Sequence, residues 1–221
     1  MIKVWVAYII RVTVLLFIPP FAAFTTRFAR MNKYRWTDPK TGHRFASGGI
    51  LFYDSQGVWV VAERDGKNGI IYNDMGGKYT YEDGTIHASI ARELREETYG
   101  LCELRVGEVR ALGDLFTPVY VNGHDGKPAY FSLPIDFARL PADLRRRIVL
   151  DPDQYLIERK AVIDSNRDVP VEYYPMFLRK LSMADLKDPR VRLSFRLRKI
   201  LRISGIVPDM ARVPSPEMEG V

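Results

Sequence analysis

The sequence predicts a mixed α/β fold, a mixed sheet flanked by helices, on three observations. Strand-like segments dominate after Met31. One central stretch reads as a helix, and a second amphipathic helix stands near the C-terminus. The chain has 221 residues, enough for one domain with tails. Hydrophobic residues make up 47% and charged residues 27%, which excludes disorder throughout.

The elements follow in order. Ala46–Tyr53 and Gly57–Glu63 are rich in β-branched and aromatic residues, with 54–57 as the turn between them. Gly69–Tyr72 is a shorter strand, followed by Gly76-Gly77 and a polar loop to Gly84. Thr85 is an acceptable N-cap for a helix from Ile86 to Thr98, and Gly100 ends it. Further strands are expected at Glu103–Leu112, Val119–Val121, Tyr130–Ile135, Tyr155–Ile163 and Val171–Leu178. Short helices are expected at Ala142–Arg147 and Met183–Leu186, and a last helix at Val191–Ile203.

Charge is unevenly placed. The formal net charge is +6, yet residues 1–37 hold six bases and no acid, and 179–212 holds ten bases against three acids. The centre, 38–178, is therefore mildly acidic, a poor surface for a nucleic-acid backbone and a suitable one for divalent cations. One cysteine, Cys102, excludes an internal disulfide framework, and His43, His87 and His124 share no ligand spacing. Any metal would be held by carboxylates.

Three regions result: 1–30, a hydrophobic and basic N-terminal segment; 31–207, the main folded domain; and 208–221, a loose Pro- and Glu-containing tail. The uncharged run Val12–Phe24 is shorter than the ~20 residues a spanning helix needs. The segment suits a membrane anchor or signal, an organelle transit peptide, or a dispensable extension ahead of Met31. The expected location is accordingly membrane-associated, cytoplasmic or an organelle.

The chemistry concentrates in 76–101, GGKYTYEDGTIHASIARELREETYGL. On a helical wheel Glu93, Glu96 and Glu97 share an arc of roughly 100° beside the apolar stripe Ile90, Leu94 and Ala91. Like charges at this spacing repel and weaken a helix. Arg92 can pair with Glu96, which leaves Glu93 and Glu97 for a divalent cation to neutralise. The glycine pair would let backbone approach the cation and phosphates. A solvated acidic face and an ordinary turn are the plainer alternatives.

These residues resemble a Nudix box, usually written G-x5-E-x7-R-E-U-x-E-E-x-G-U, with U a bulky aliphatic. Arg92-Glu93-Leu94-Arg95-Glu96-Glu97 matches its core and Gly77 its leading glycine. The departures are Asp83 or Glu82 in place of the loop glutamate, one extra residue before Arg92, another before Gly100, and Met75 where proline is common. The resemblance implies an α/β/α sandwich with a mixed sheet. It also implies hydrolysis of a nucleoside diphosphate linked to another group, a small-molecule nucleotide substrate. Glu93, Glu96, Glu97 and the Gly77 carbonyl would hold Mg²⁺ or Mn²⁺, Glu96 or Glu97 would serve as base, and Arg92 would orient the glutamates. Gly76, Lys78 and Arg64 are candidate substrate contacts. Pro118 and Tyr120 stand near positions that some subfamilies use for ADP-ribose or dinucleoside polyphosphates. Signatures of the NADH or coenzyme A branches are lacking. The altered loop motivates a second expectation, a catalytically weak binding or regulatory module for nucleotides or RNA.

Elsewhere, His87 reads as a packed helix residue and Cys102 as a small core residue. The turn at 122–126 places His124 and Asp125 where they could fold over the site. In the last helix Arg192, Arg196 and Lys199 read as a solvated basic face opposite Leu193, Leu197, Ile200 and Leu201. Contact of that face with RNA or an anionic membrane, together with residues 1–24, is the alternative. Oligomeric state is not legible.

Overall fold

The computed structural model describes residues 35–66, 69–123, 126–165 and 175–208. The N-terminal segment, His124, Asp125, part of the strand expected at 171–178 and nearly all of the expected tail lie outside these residues.

Two short strands, β1 (Trp36–Thr37) and β2 (Arg44–Phe45), pair antiparallel ahead of the main sheet. The main sheet is mixed and seven-stranded. Its centre is β3 (Ser47–Asp54), buried on both faces as its apolar run requires. Asp54 Oδ1 accepts the Gln56 and Gly57 N–H groups and closes the hairpin to β4 (Gly57–Arg64). β5 (Ile70–Asn73) and a later strand, β9 (Phe177–Ser182), flank β4 antiparallel. β6 (Met75–Lys78) pairs antiparallel with β3. β8 (Pro128–Asp136) runs parallel to β3, and β7 (Val119–Asn122) closes that edge.

Alternation along β3 sends Ile50 and Phe52 to one layer and Leu51 to the other. The first layer packs under α1 (Ile86–Glu97) and α2 (Val106–Leu115) through Ile86, Ile90, Leu94, Val109 and Leu112. Two further helices, α3 (Ala142–Arg147) and α4 (Pro152–Ser165), contribute Leu144 and the fully buried Tyr155. The second layer packs under α5 (Phe195–Ile203) through Leu197, Ile200 and Leu201. The result is an α/β/α sandwich with a mixed sheet. Among the described residues no helix is long and apolar enough to cross a membrane.

Five expectations are corrected. The stretch 103–112 holds the start of α2, not a strand: Leu104 and Val106 alternate, but Val109, Leu112 and Phe116 are buried at helical spacing. Glu108 Oε2 accepts the Arg105 N–H at 2.7 Å and fixes the first turn. The stretch 155–163 lies in α4 because Asp151 Oδ1 accepts the Asp153 and Gln154 N–H groups ahead of Pro152, a strong helix start. Its apolar content misled because Leu156 and Ile157 are exposed. Gly76-Gly77 is strand rather than turn. The short helix expected at Met183–Leu186 is a single 3₁₀ turn at Asp185–Lys187, and the last helix opens later than expected, at Phe195.

Candidate active site

The site begins with four glycines. In the β3–β6 ladder Gly48 lies opposite Gly77, and Gly49 opposite Gly76. A Cβ on Gly77 would collide with the Glu93 carboxylate, and one on Gly48 would press on Ile86 and Ile90 at 3.0 and 3.1 Å. On the other face a Cβ at Gly49 or Gly76 would strike the Tyr130 hydroxyl. Missing side chains therefore let α1 settle onto one face of β6 and a tyrosine onto the other.

The chain leaves β6 through a 3₁₀ turn, Tyr81–Asp83, in which Asp83 Oδ2 accepts from the Thr80 N–H and hydroxyl at 2.9 and 3.0 Å. Gly84 has φ +68°, and Thr85 caps α1 by accepting the Ala88 N–H at 3.1 Å. Arg92, one face of α1 above this turn, donates to both Asp83 oxygens at 2.9 and 3.1 Å and to the Lys78 carbonyl at 2.9 Å. Its Nη1 also lies 2.8 Å from Glu93 Oε1 and 2.9 Å from Glu96 Oε2. Asp83 thus anchors Arg92, and Glu82 takes no part in that contact.

Burial would raise the Asp83 carboxyl, but hydrogen bonds from Arg92 and Thr80 and the guanidinium charge bring it below its ordinary value. Glu93 is half-buried; desolvation raises its carboxyl despite Arg92. Glu97 accepts the Gly76 N–H at 2.7 Å. Burial pushes its carboxyl well above the ordinary range; Arg196 pulls it back, and Glu63, Glu93 and Asp74 push further. Glu96 is exposed, with 58% of its side chain accessible, so the trio divides into two sheltered carboxylates and one open one.

Beneath β6 lies a buried group that sequence reading did not find. Arg196, from α5, donates to Asp74 Oδ1 at 2.7 Å and to the Gly76 carbonyl at 3.3 Å, and lies 4.4 Å from the Tyr130 ring centroid. Tyr130 donates to Asp74 Oδ2 at 2.6 Å. Arg196 is thus an internal counter-charge and not part of a solvated basic face. Lys199 reaches the Asn122 carbonyl at 3.2 Å, and Arg192 pairs with Asp65 at 2.6 Å. Glu63, on β4, is half-buried; burial raises its carboxyl, which Arg196 and Asn73 partly offset. Asp74 directly precedes Met75-Gly-Gly, which was the available sequence signal; its partner stands 122 residues away.

Lys78 is exposed at the end of β6. Arg64 is exposed at the end of β4, and among the described residues no hydrogen bond or ion pair joins it to the glutamate trio. Among the described residues no three His, Cys, Asp or Glu side chains converge closely enough to hold a metal ion. The donor set is nonetheless all oxygen, which suits Mg²⁺ or Mn²⁺, and the space opposite Gly77 is filled by the Glu93 carboxylate itself. In donor type the residues fit such an ion; Glu93 and Glu96 are turned to Arg92, and Glu97 to Gly76.

No family model matches the chain, and no curated protein matches it. Among solved structures it is similar to a Nudix hydrolase from Nitrosomonas europaea, at 14% identity and a TM-score of 0.25, over 59% of this chain and 91% of that one. A likeness this loose carries no functional argument.

Proposed function

We propose that the protein is a metal-dependent hydrolase that cleaves the diphosphate of a nucleoside diphosphate linked to another group. The observation that carries this reading is the seating of Arg92-Glu93-Leu94-Arg95-Glu96-Glu97 against Gly76-Gly77. Glu93 occupies the place of a Gly77 side chain, and Glu97 accepts the Gly76 N–H.

Glu93, Glu96 and Glu97 would hold Mg²⁺ or Mn²⁺. When bound, such an ion offsets diphosphate charge and lowers the pKa of a coordinated water. The chain's own residues do the rest. Arg92 fixes Glu93 and Glu96 from one nitrogen and is itself fixed by Asp83. Gly76 orients Glu97 by donating its N–H. Glu97 or the exposed Glu96 would take the proton from attacking water. Of the candidate substrate contacts Gly76, Lys78 and Arg64, the exposed Lys78 beside Gly77 is the cation we favour for a phosphate.

A second reading, a nucleotide-binding module with weak catalysis, is favoured by one observation: Glu93 and Glu96 both turn to Arg92. A Mg²⁺ and Mn²⁺ dose response over a nucleotide panel separates the two. The hydrolase releases phosphate or nucleotide, and Glu97→Gln lowers turnover by about 10²–10⁴-fold while circular dichroism stays unchanged. Saturable nucleotide binding without product under either metal would establish the second reading.

A further inference from the structure

At the N-terminal end of α1 a cavity of about 440 Å³ opens between β1, α2 and β7, and none of the three glutamates lines it. Its volume lies within the range of small-molecule sites. Aromatic rings form its wall. Trp36, His87 and Phe131 meet edge to face, with centroids 5.8 to 6.3 Å apart, and Tyr120 stands 5.8 Å from Phe131. Phe131 is a core residue, whereas Trp36, His87 and Tyr120 are only partly buried and keep surface toward the cavity.

The polar groups are unequal. Asp38 is occupied: one oxygen accepts the Lys40 N–H at 2.9 Å and the other the Thr41 hydroxyl at 2.7 Å. The Lys40 ammonium pairs with Asp114 at 3.2 Å. His87 and Arg110 differ. Among the described residues neither His87 ring nitrogen has a hydrogen-bond partner, and Arg110, exposed at the mouth, has no ion pair. Burial lowers the proton affinity of the His87 imidazole, which favours the neutral ring with one donor and one acceptor. Of the charges that act on it, Arg110 acts most strongly, ahead of Asp38, Asp114 and Lys40. The uncommitted groups are therefore a ring wall, a neutral imidazole and a guanidinium.

We propose that this cavity binds a planar aromatic ring carrying an anionic group. The ring lies against Trp36, Phe131 and His87, and Arg110 meets the anion. The inference goes beyond the hydrolase reading and does not depend on it: Arg92, Glu93, Glu96 and Glu97 lie outside the cavity lining, although Pro118 and Tyr120, named above as substrate-specificity positions, belong to it.

The lining supplies its own plug. A Cβ on Gly113, in α2, would make only ordinary contacts, 3.8 Å from Leu133 and 3.9 Å from His87 Nε2. Gly113→Leu should fold, and its added side chain narrows the cavity beside His87. The test is calorimetric titration of the full chain in EDTA, which silences divalent-ion sites, with AMP, adenosine and ribose 5-phosphate as probes. AMP should bind with millimolar or tighter affinity. Adenosine should bind more weakly and ribose 5-phosphate not measurably. Arg110→Glu should weaken AMP by about tenfold or more and leave adenosine unchanged. Gly113→Leu should remove both. No saturable AMP binding by the folded chain, AMP binding that survives Gly113→Leu, or equal loss of adenosine in Arg110→Glu would each overturn the proposal. Should Gly113→Leu fail to melt cooperatively, Gly113→Ala and Arg110→Glu decide it.

Discussion

Arg196→Met tests whether the last helix holds the glycine strand in place. Asp74 is fully buried, and the Arg196 side chain is 28% exposed. The substitution keeps the apolar stem and removes the charge. It leaves a buried carboxylate with Tyr130 as its remaining side-chain donor, at 2.6 Å. Breaking a buried ion pair from one side costs about 3–5 kcal/mol. The partial exposure and the surviving hydroxyl favour the lower end, and the lost contact with the Tyr130 ring adds about 1 kcal/mol. The expected loss is about 3–4 kcal/mol, a fall in Tm of about 6–16 °C for a chain of this size. Urea unfolding followed by circular dichroism should show a lower midpoint at unchanged slope. Adding Asp74→Asn should recover more than half, since the stranded charge is the main cost. A loss below about 1 kcal/mol, or a double variant no better than the single, would refute the reasoning.

Two further outcomes follow from buried titratable groups. Asp83 is held below its ordinary value of 3.8, so its contribution is complete above that pH and lost as pH falls through the folded value. The stability difference between the protein and Asp83→Asn should be level near neutrality and shrink in acid, which urea midpoints across that range would read. Taken as a difference, the measurement cancels the opposite trend of Glu97, whose carboxyl is raised by burial and by groups other than Asp83. Burial pushes the Cys102 thiol up to about 12, and the Thr98 and Val149 contacts offset this only in part. Cys102 should therefore ignore a thiol reagent in the native protein and react fully in denaturant; rapid native labelling would contradict its burial.

What was legible in the sequence was local. Thr85 and Gly100 bracket α1, and the spacing of Glu93, Glu96 and Glu97 fixes which side of it they share. The β3–β4 hairpin is likewise written in neighbouring residues, because a turn and its Asp54 cap lie within four positions. Helices α2 and α4 were misread where β-branched and alternating residues obscured a helix start supplied by Glu108 or by Asp151 and Pro152.

Tertiary structure decided the rest, and for one reason: the deciding contacts join residues far apart in the chain. Nothing near Gly49 announces that Tyr130 needs its missing side chain, and nothing near Arg196 announces Asp74. The sequence by itself determined a helix with three carboxylates on one side. Only the packed sheet decided that two are sheltered and one open, that the helix rests on bare backbone, and that a guanidinium from the last helix lies beneath. Burial, which sets the proton affinity of each carboxylate, is a property of the assembled layers and not of any segment.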